Sequence, residues 1–261
     1  MKVPPLTWLY VPADRPDRVE KAIASRAHAV IVDLEDGVAP AAKAEARANL
    51  PALLGRRREK PVYVRVDAGN AEELELVAGL ELDGVVVPKV ERPEDVPAGL
   101  RVTALIESAA GIEAAYAIAQ HPQVEGISLG EADLRSQTGV LEAGLDWARG
   151  RIVNAAVAAG LPRPPQSVYT DIRDLDGLAE SCRRGRALGH LGRAAIHPDQ
   201  LSVIEREYMP TADEIERARA TVERLRSDGV GTLGGGEFVD AAMLGAARQI
   251  LAIAERYDAQ T

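Results

Sequence analysis

What most constrains this chain is a rhythm of short apolar runs. Eight of them, Thr7–Val11, Ala29–Leu34, Val62–Val66, Gly84–Pro88, Val102–Ile106, Gly126–Leu129, Ser167–Tyr169 and Ala194–Ile196, are strand-like. The stretches between them, such as Arg15–Ser25, Ala39–Leu54, Ala109–Gln120 and Leu175–Leu188, are rich in Ala, Leu, Glu and Arg at helical spacing. Eight strand–helix alternations predict a parallel sheet, and eight is the number that closes a barrel. The runs are apolar nearly throughout, as expected of strands buried on both faces. The expectation is therefore an α/β chain with a (β/α)8 TIM barrel over residues 1–209. An open doubly wound sheet is the competing architecture.

Past Pro210 the pattern changes, and residues 210–261 read as a C-terminal helical extension. Thr211-Ala212-Asp213-Glu214 has the form of a helix N-cap with acidic first-turn residues, opening a charged helix to about Ser227. The segment from Gly229 to Gly236 holds five glycines and lacks both the Lys-Ser/Thr ending of a P-loop and any Rossmann spacing, so it reads as a hinge. A last helix, roughly 240–257, follows. A helical segment on a hinge is a candidate lid.

Composition narrows the partners. A single Phe, two Trp and a net charge of −9 argue against stacking on, or neutralising, a nucleic acid. One cysteine, Cys182, excludes an internal disulfide and fits a reducing compartment. No leader-like opening and no apolar run of about 18 residues is found, so the expectation is a soluble cytoplasmic enzyme.

Charged residues at the strand exits carry the chemistry. Arg65 sits in the third run, Glu107 directly follows the fifth, and Asp133 follows the sixth. In a parallel barrel all three emerge at one rim. Two carboxylates with room for waters suit Mg²⁺; alternatively each caps the helix that follows it. Arg65 either binds a substrate carboxylate bidentately or pairs with a neighbouring acid. Val32-Asp33-Leu34-Glu35-Asp36-Gly37 places three acids at the second exit, to accept hydrogen bonds from metal-bound waters, Arg65 or Lys89, or to form a solvated turn. Lys89 stands at the fourth exit, where it would balance that negative charge. His197 follows the eighth run, and no histidine pair has zinc-ligand spacing.

Taken in order, several segments resemble the citrate lyase β-subunit-like (CitE-like) family of the HpcH/HpaI aldolase superfamily, related to malyl-CoA and citramalyl-CoA lyases. They are Leu9-Tyr10-Val11-Pro12-Ala13-Asp14-Arg15-Pro16, Val32-Asp33-Leu34-Glu35-Asp36-Gly37-Val38-Ala39-Pro40, Val87-Pro88-Lys89, Leu105-Ile106-Glu107, Tyr169-Thr170-Asp171 and Ile196-His197-Pro198-Asp199-Gln200. The resemblance implies a (β/α)8 barrel with a C-terminal helical lid, assembled as homotrimers or hexamers. It implies Mg²⁺ on Glu107 and Asp133, with Arg65 at the substrate's oxygen-rich end. It makes Arg65, Asp36 and Asp240 the candidate catalytic residues, Asp240 being supplied by a neighbouring subunit's lid. Glu107, Lys89 and Glu35 join Arg65 as candidate substrate contacts, and Arg15 and Lys21 are candidates for the CoA phosphates. The implied reaction is cleavage or formation of a 3-hydroxyacyl-CoA from an acyl-CoA and a 2-oxo acid. A citrate lyase β-subunit working on a citryl thioester held by an acyl carrier protein, and a non-catalytic thioester-binding subunit, are the alternatives. Two departures stand out: Gly130-Glu131-Ala132-Asp133-Leu134 where the family reads Gly-Ala-Glu-Asp-Leu, and Asp67 where Asn is common.

Overall fold

In the computed structural model, which describes residues 3–228, 230–233 and 236–258, the apolar runs become a curled parallel sheet. Its strands are β1 (Thr7–Pro12), β2 (Ala29–Asp33), β3 (Val62–Arg65), β4 (Gly84–Val87), β5 (Val102–Ile106), β6 (Val124–Leu129) and β7 (Arg193–Ala195). Their order is β6-β5-β4-β3-β2-β1-β7, every pair parallel. This order never reverses, so the sheet has no switch point of the kind a doubly wound fold requires. Connecting helices include α1 (Pro16–Ala24), α2 (Lys43–Leu54), α3 (Ala71–Ala78), α4 (Ala109–Ala119), α5 (Glu131–Thr138), α6 (Leu145–Ala158), α7 (Leu175–Ala187) and α8 (Gln200–Tyr208). Local chemistry starts several of them. Asn70, Ser108 and Asp174 accept N–H bonds from Glu73, Gly111 and Gly177, satisfying donors that a helix leaves unpaired.

Two expectations of the regular rhythm fail. The run Ser167–Tyr169 is not a strand. Pro164 and Pro165 bring no N–H to a ladder, and only Gln166 bridges to Arg193 of β7. Towards β6 the contact is made by a side chain, with Ser167 Oγ donating to the Leu129 carbonyl. The fourth crossover also lacks an α-helix. Pro93 and Pro97 interrupt it, and it holds one 3-10 turn, Pro93–Asp95.

Two compact units divide the chain, Pro4–Glu205 and Arg206–Thr261 together with Met1–Val3. In the C-terminal unit α9 (Ala212–Asp228) opens on a reciprocal cap, Glu214 N–H to Thr211 Oγ1 at 3.2 Å and Thr211 N–H to Glu214 Oε2 at 2.8 Å. Part of the glycine-rich stretch is strand. β8 (Val230–Thr232) and β9 (Phe238–Asp240) pair as an antiparallel hairpin. The hinge positions Gly229, Gly234 and Gly235 lie outside the described residues. The last helix, α10 (Leu244–Asp258), begins later than expected, because Asp240 ends β9 and accepts the Ala242 N–H, starting a 3-10 turn instead.

Candidate active site

Inside the curl, Trp8, Ala29, Ile31, Val86, Leu105 and Ala194 form a buried apolar layer with Tyr10, Tyr63 and Val168 against it. Side chains alternate along a strand, so two residues further on the same face come Asp33 after Ile31, Arg65 after Tyr63 and Glu107 after Leu105. The layer thus changes from apolar to charged at the carboxyl ends of the strands. All three line one open cavity of about 1120 Å³, together with Tyr10, Asp36 and Asp133.

Arg65 is held from several sides. Asp33 lies opposite it in the β2–β3 register, and its two carboxylate oxygens take Nε and Nη2, each at 2.6 Å. Glu35 Oε2 stands 3.0 Å from Nη1, and the guanidinium lies 5.0 Å over the Tyr10 ring. Burial disfavours the charge, but the hydrogen bonds and charge of Asp33 outweigh it, and the pKa of Arg65 is raised. Asp33 is itself fixed by the N–H groups of Glu35 and Gly37, at 3.0 and 2.8 Å.

Glu35 is 3% exposed. It also faces Lys89 Nζ at 3.1 Å, yet neither of its buried oxygens receives an aligned hydrogen bond. Burial raises its pKa against the pull of Arg65. The close carboxylate of Glu35 raises that of Lys89.

Glu107, 5% exposed, accepts the Lys89 N–H at 2.8 Å. Its carboxylate reaches that of Asp133, an exposed residue in the first turn of α5. Burial, and then the charges of Glu35 and Asp133, push the pKa of Glu107 up to about 7. Two carboxylates brought this close require a shared proton or a cation between them. Oxygen donors, one buried and one exposed, with an under-bonded carboxylate behind, fit Mg²⁺, which keeps several waters. Among the described residues no group of three or more His, Cys, Asp or Glu side chains forms a complete metal cage. The fit therefore rests on Glu107 and Asp133 alone.

Other candidates are less central. Asp36 is exposed and lines the cavity. Arg15 and Lys21 are exposed around α1, facing Asp14 at 3.8 Å and Asp17 at 3.5 Å, and line no part of the cavity. His197 is bound locally, its Nδ1 accepting the Asp199 N–H. Asp240 belongs to the C-terminal unit. Cys182 packs, fully buried, within α7.

Three features went unread in the sequence. Asp33 clamps Arg65 through both of its oxygens, with Glu35 on a third donor, and the two-residue alternation from Ile31 runs through both acids. Asp67 is neutralised by an ion pair with Lys43. Glu131, the displaced acid, is held through both oxygens by Arg149 of α6, at 2.8 and 2.6 Å. Arg149 is 2% exposed and also meets Glu142 and Asp146. Burial opposes its charge, and the Glu131 bonds restore it. An arginine in an alanine-rich helix gives no sequence signal of such a role.

Residues 6–98 and 96–198 match the HpcH/HpaI aldolase/citrate lyase family. A (3S)-malyl-CoA thioesterase of Cereibacter sphaeroides is 34% identical over 95% of this chain and 93% of its own. An L-malyl-CoA/beta-methylmalyl-CoA lyase of the same organism is 30% identical over 96% of this chain and 95% of its own. The crystal structure of CitE from Mycobacterium tuberculosis, in complex with magnesium, acetoacetate and coenzyme A, matches with a TM-score of 0.84 and 34% identity, covering 95% of this chain and 97% of that one. Fold and relatives define an enzyme related to CoA-ester lyases and thioesterases. Within that class, the chain belongs to the HpcH/HpaI aldolase/citrate lyase family.

Proposed function

We propose that the chain is a Mg²⁺-dependent carbon–carbon lyase, cleaving or forming a 3-hydroxyacyl-CoA such as malyl-CoA or citramalyl-CoA from an acyl-CoA and a 2-oxo acid. The observation that carries this reading is the placement of Glu107 and Asp133 within reach of each other beside a rigidly held Arg65. Glu107 and Asp133 would hold the ion. When bound, it supplies Lewis-acid stabilisation of charge on the oxo-acid oxygens.

The chain's own residues do the rest. A guanidinium has five N–H donors; two go to Asp33 and a third faces Glu35, so two remain for a substrate oxygen. Arg65 orients the substrate carboxylate and shares its charge, at little cost in reorganisation because Asp33 and Tyr10 already fix it. Tyr10 and the apolar layer beneath close the floor to water. In the cleavage direction the substrate hydroxyl loses its proton, and Asp36, exposed on the cavity wall, would accept it. Asp240, from a neighbouring subunit of a homotrimer or hexamer, would protonate the departing acyl-CoA enolate, with Arg15 and Lys21 near the CoA phosphates. Lys89 and Glu35 support Arg65 and Glu107 from behind. In this reading segment 165–169 serves as the eighth stave of a (β/α)8 barrel.

A second reading, hydrolysis of the thioester, is favoured by the thioesterase relative. Product analysis separates the two. Malyl-CoA incubated with the protein and Mg²⁺ should give acetyl-CoA and glyoxylate. Free CoA and malate as the only products would replace the lyase reading with a thioesterase one, and activity confined to carrier-bound citryl thioester would overturn the choice of free CoA esters.

A further inference from the structure

Arg193 opens β7 on the side of the sheet away from the apolar layer, where its neighbour Ala194 lies. It is 2% exposed and lines the cavity. Its Nη1 donates to Gln166 Oε1 at 3.1 Å and Ser181 Oγ at 2.9 Å, and lies 3.9 Å from Cys182 Sγ. All three partners are neutral. The guanidinium also lies 5.5 Å from the Tyr169 ring centroid. No described carboxylate pairs with it, and its buried Nε bonds to nothing described.

Other arginines in the chain show what that edge is for. Arg65, Arg149 and Arg101 each present Nε and Nη2 to both oxygens of one carboxylate, Asp33, Glu131 and Glu125 respectively. This is the two-pronged match of guanidinium to carboxylate. In Arg193 the same edge has no protein partner. Burying a cation without a counter-charge is unfavourable, and Ser181, Gln166 and Tyr169 already fix its orientation.

The geometry points to a small-anion site at Arg193, taking a compact carboxylate on the Nε–Nη2 edge. It is separate from the rim. Arg193 pairs with Thr7 and Asp33 with Pro12, which are five residues apart along β1, about 16 Å of strand.

The test is thermal unfolding of the full chain without Mg²⁺, at fixed ionic strength, with acetate, phosphate or chloride as the probe. Acetate at tenfold over its dissociation constant should raise Tm by about 3 °C relative to chloride. A larger rise with phosphate would assign the site to a tetrahedral anion and overturn the carboxylate assignment. Arg193→Gln should abolish the response. Gln166→Glu, which sets a carboxylate beside the guanidinium, should raise Tm without any added anion and remove the acetate dependence; it serves also if Arg193→Gln does not fold. No acetate effect in the parent, or an unchanged effect in Gln166→Glu, would overturn the site.

Discussion

Lys89 donates its backbone N–H to Glu107 Oε1 at 2.8 Å, and it does so from the left-handed region, at φ 56°. Among the described residues it is the only non-glycine there. Such backbone costs an L-residue about 1–2 kcal/mol, and here it aims a donor at the buried candidate metal ligand. Lys89→Gly should therefore leave Mg²⁺ affinity within about threefold, since glycine adopts this backbone freely. Lys89→Val, β-branched, should weaken it by about tenfold. Calorimetric titration with Mg²⁺ compares the two, and equal affinities would detach the backbone from the metal site.

Gly130 is constrained by the same carboxylate. A Cβ there would collide with Glu107 Oε2 and Cβ. Gly130→Ala should displace Glu107 and lower Mg²⁺ affinity by at least tenfold while far-UV circular dichroism stays unchanged. Parent-like affinity would show that the carboxylate has another place to sit.

Asp33 is a positioning residue for Arg65. Asp33→Asn keeps the shape but loses one charge-assisted bond of the pair. A displaced guanidinium should cost about a hundredfold in kcat/KM, and most of it should appear in kcat if Arg65 acts on developing charge. A change confined to KM would reduce Arg65 to a binding group.

His190 supplies a pH dependence away from the metal. It is 1% exposed, and burial holds its pKa down at about 4, with the charge of Arg149 adding to the effect. The unfolded chain takes up this proton near pH 6.5 and the folded one near 4. Stability is therefore fully present above pH 6.5 and is lost as pH falls towards 4, on the order of 3 kcal/mol. Urea midpoints at pH 7 and 4.5 should diverge less in His190→Leu than in the parent; an identical slope in both would assign the acid sensitivity elsewhere.

Much of this was legible in the residues, for physical reasons. Strands buried on both faces must be apolar throughout, which is why β1 to β6 and β7 stood out. Once a strand is placed, the two-residue alternation puts Arg65 and Glu107 on the inner face. Legibility failed where tertiary contacts replaced local signals. Segment 165–169 is held by Gln166 and by the Ser167 hydroxyl rather than by a full ladder, so Pro164 and Pro165 are tolerated there. The hairpin of Val230–Thr232 with Phe238–Asp240 was hidden because glycines score as coil whether or not they pair. Glu131 looked like a misplaced acid only because Arg149, 18 residues later, was not known to lie against it.

In the proposed reaction Glu107 and Asp133 hold the Mg²⁺ on which turnover depends. The most direct test is Mg²⁺-dependent release of glyoxylate or pyruvate from malyl-CoA or citramalyl-CoA by the parent, Glu107→Gln and Asp133→Ala. Release should need Mg²⁺ in the parent and fall by at least a thousandfold in both variants, each still folded. Release by the parent that is indifferent to Mg²⁺, or that survives in Glu107→Gln, would contradict it.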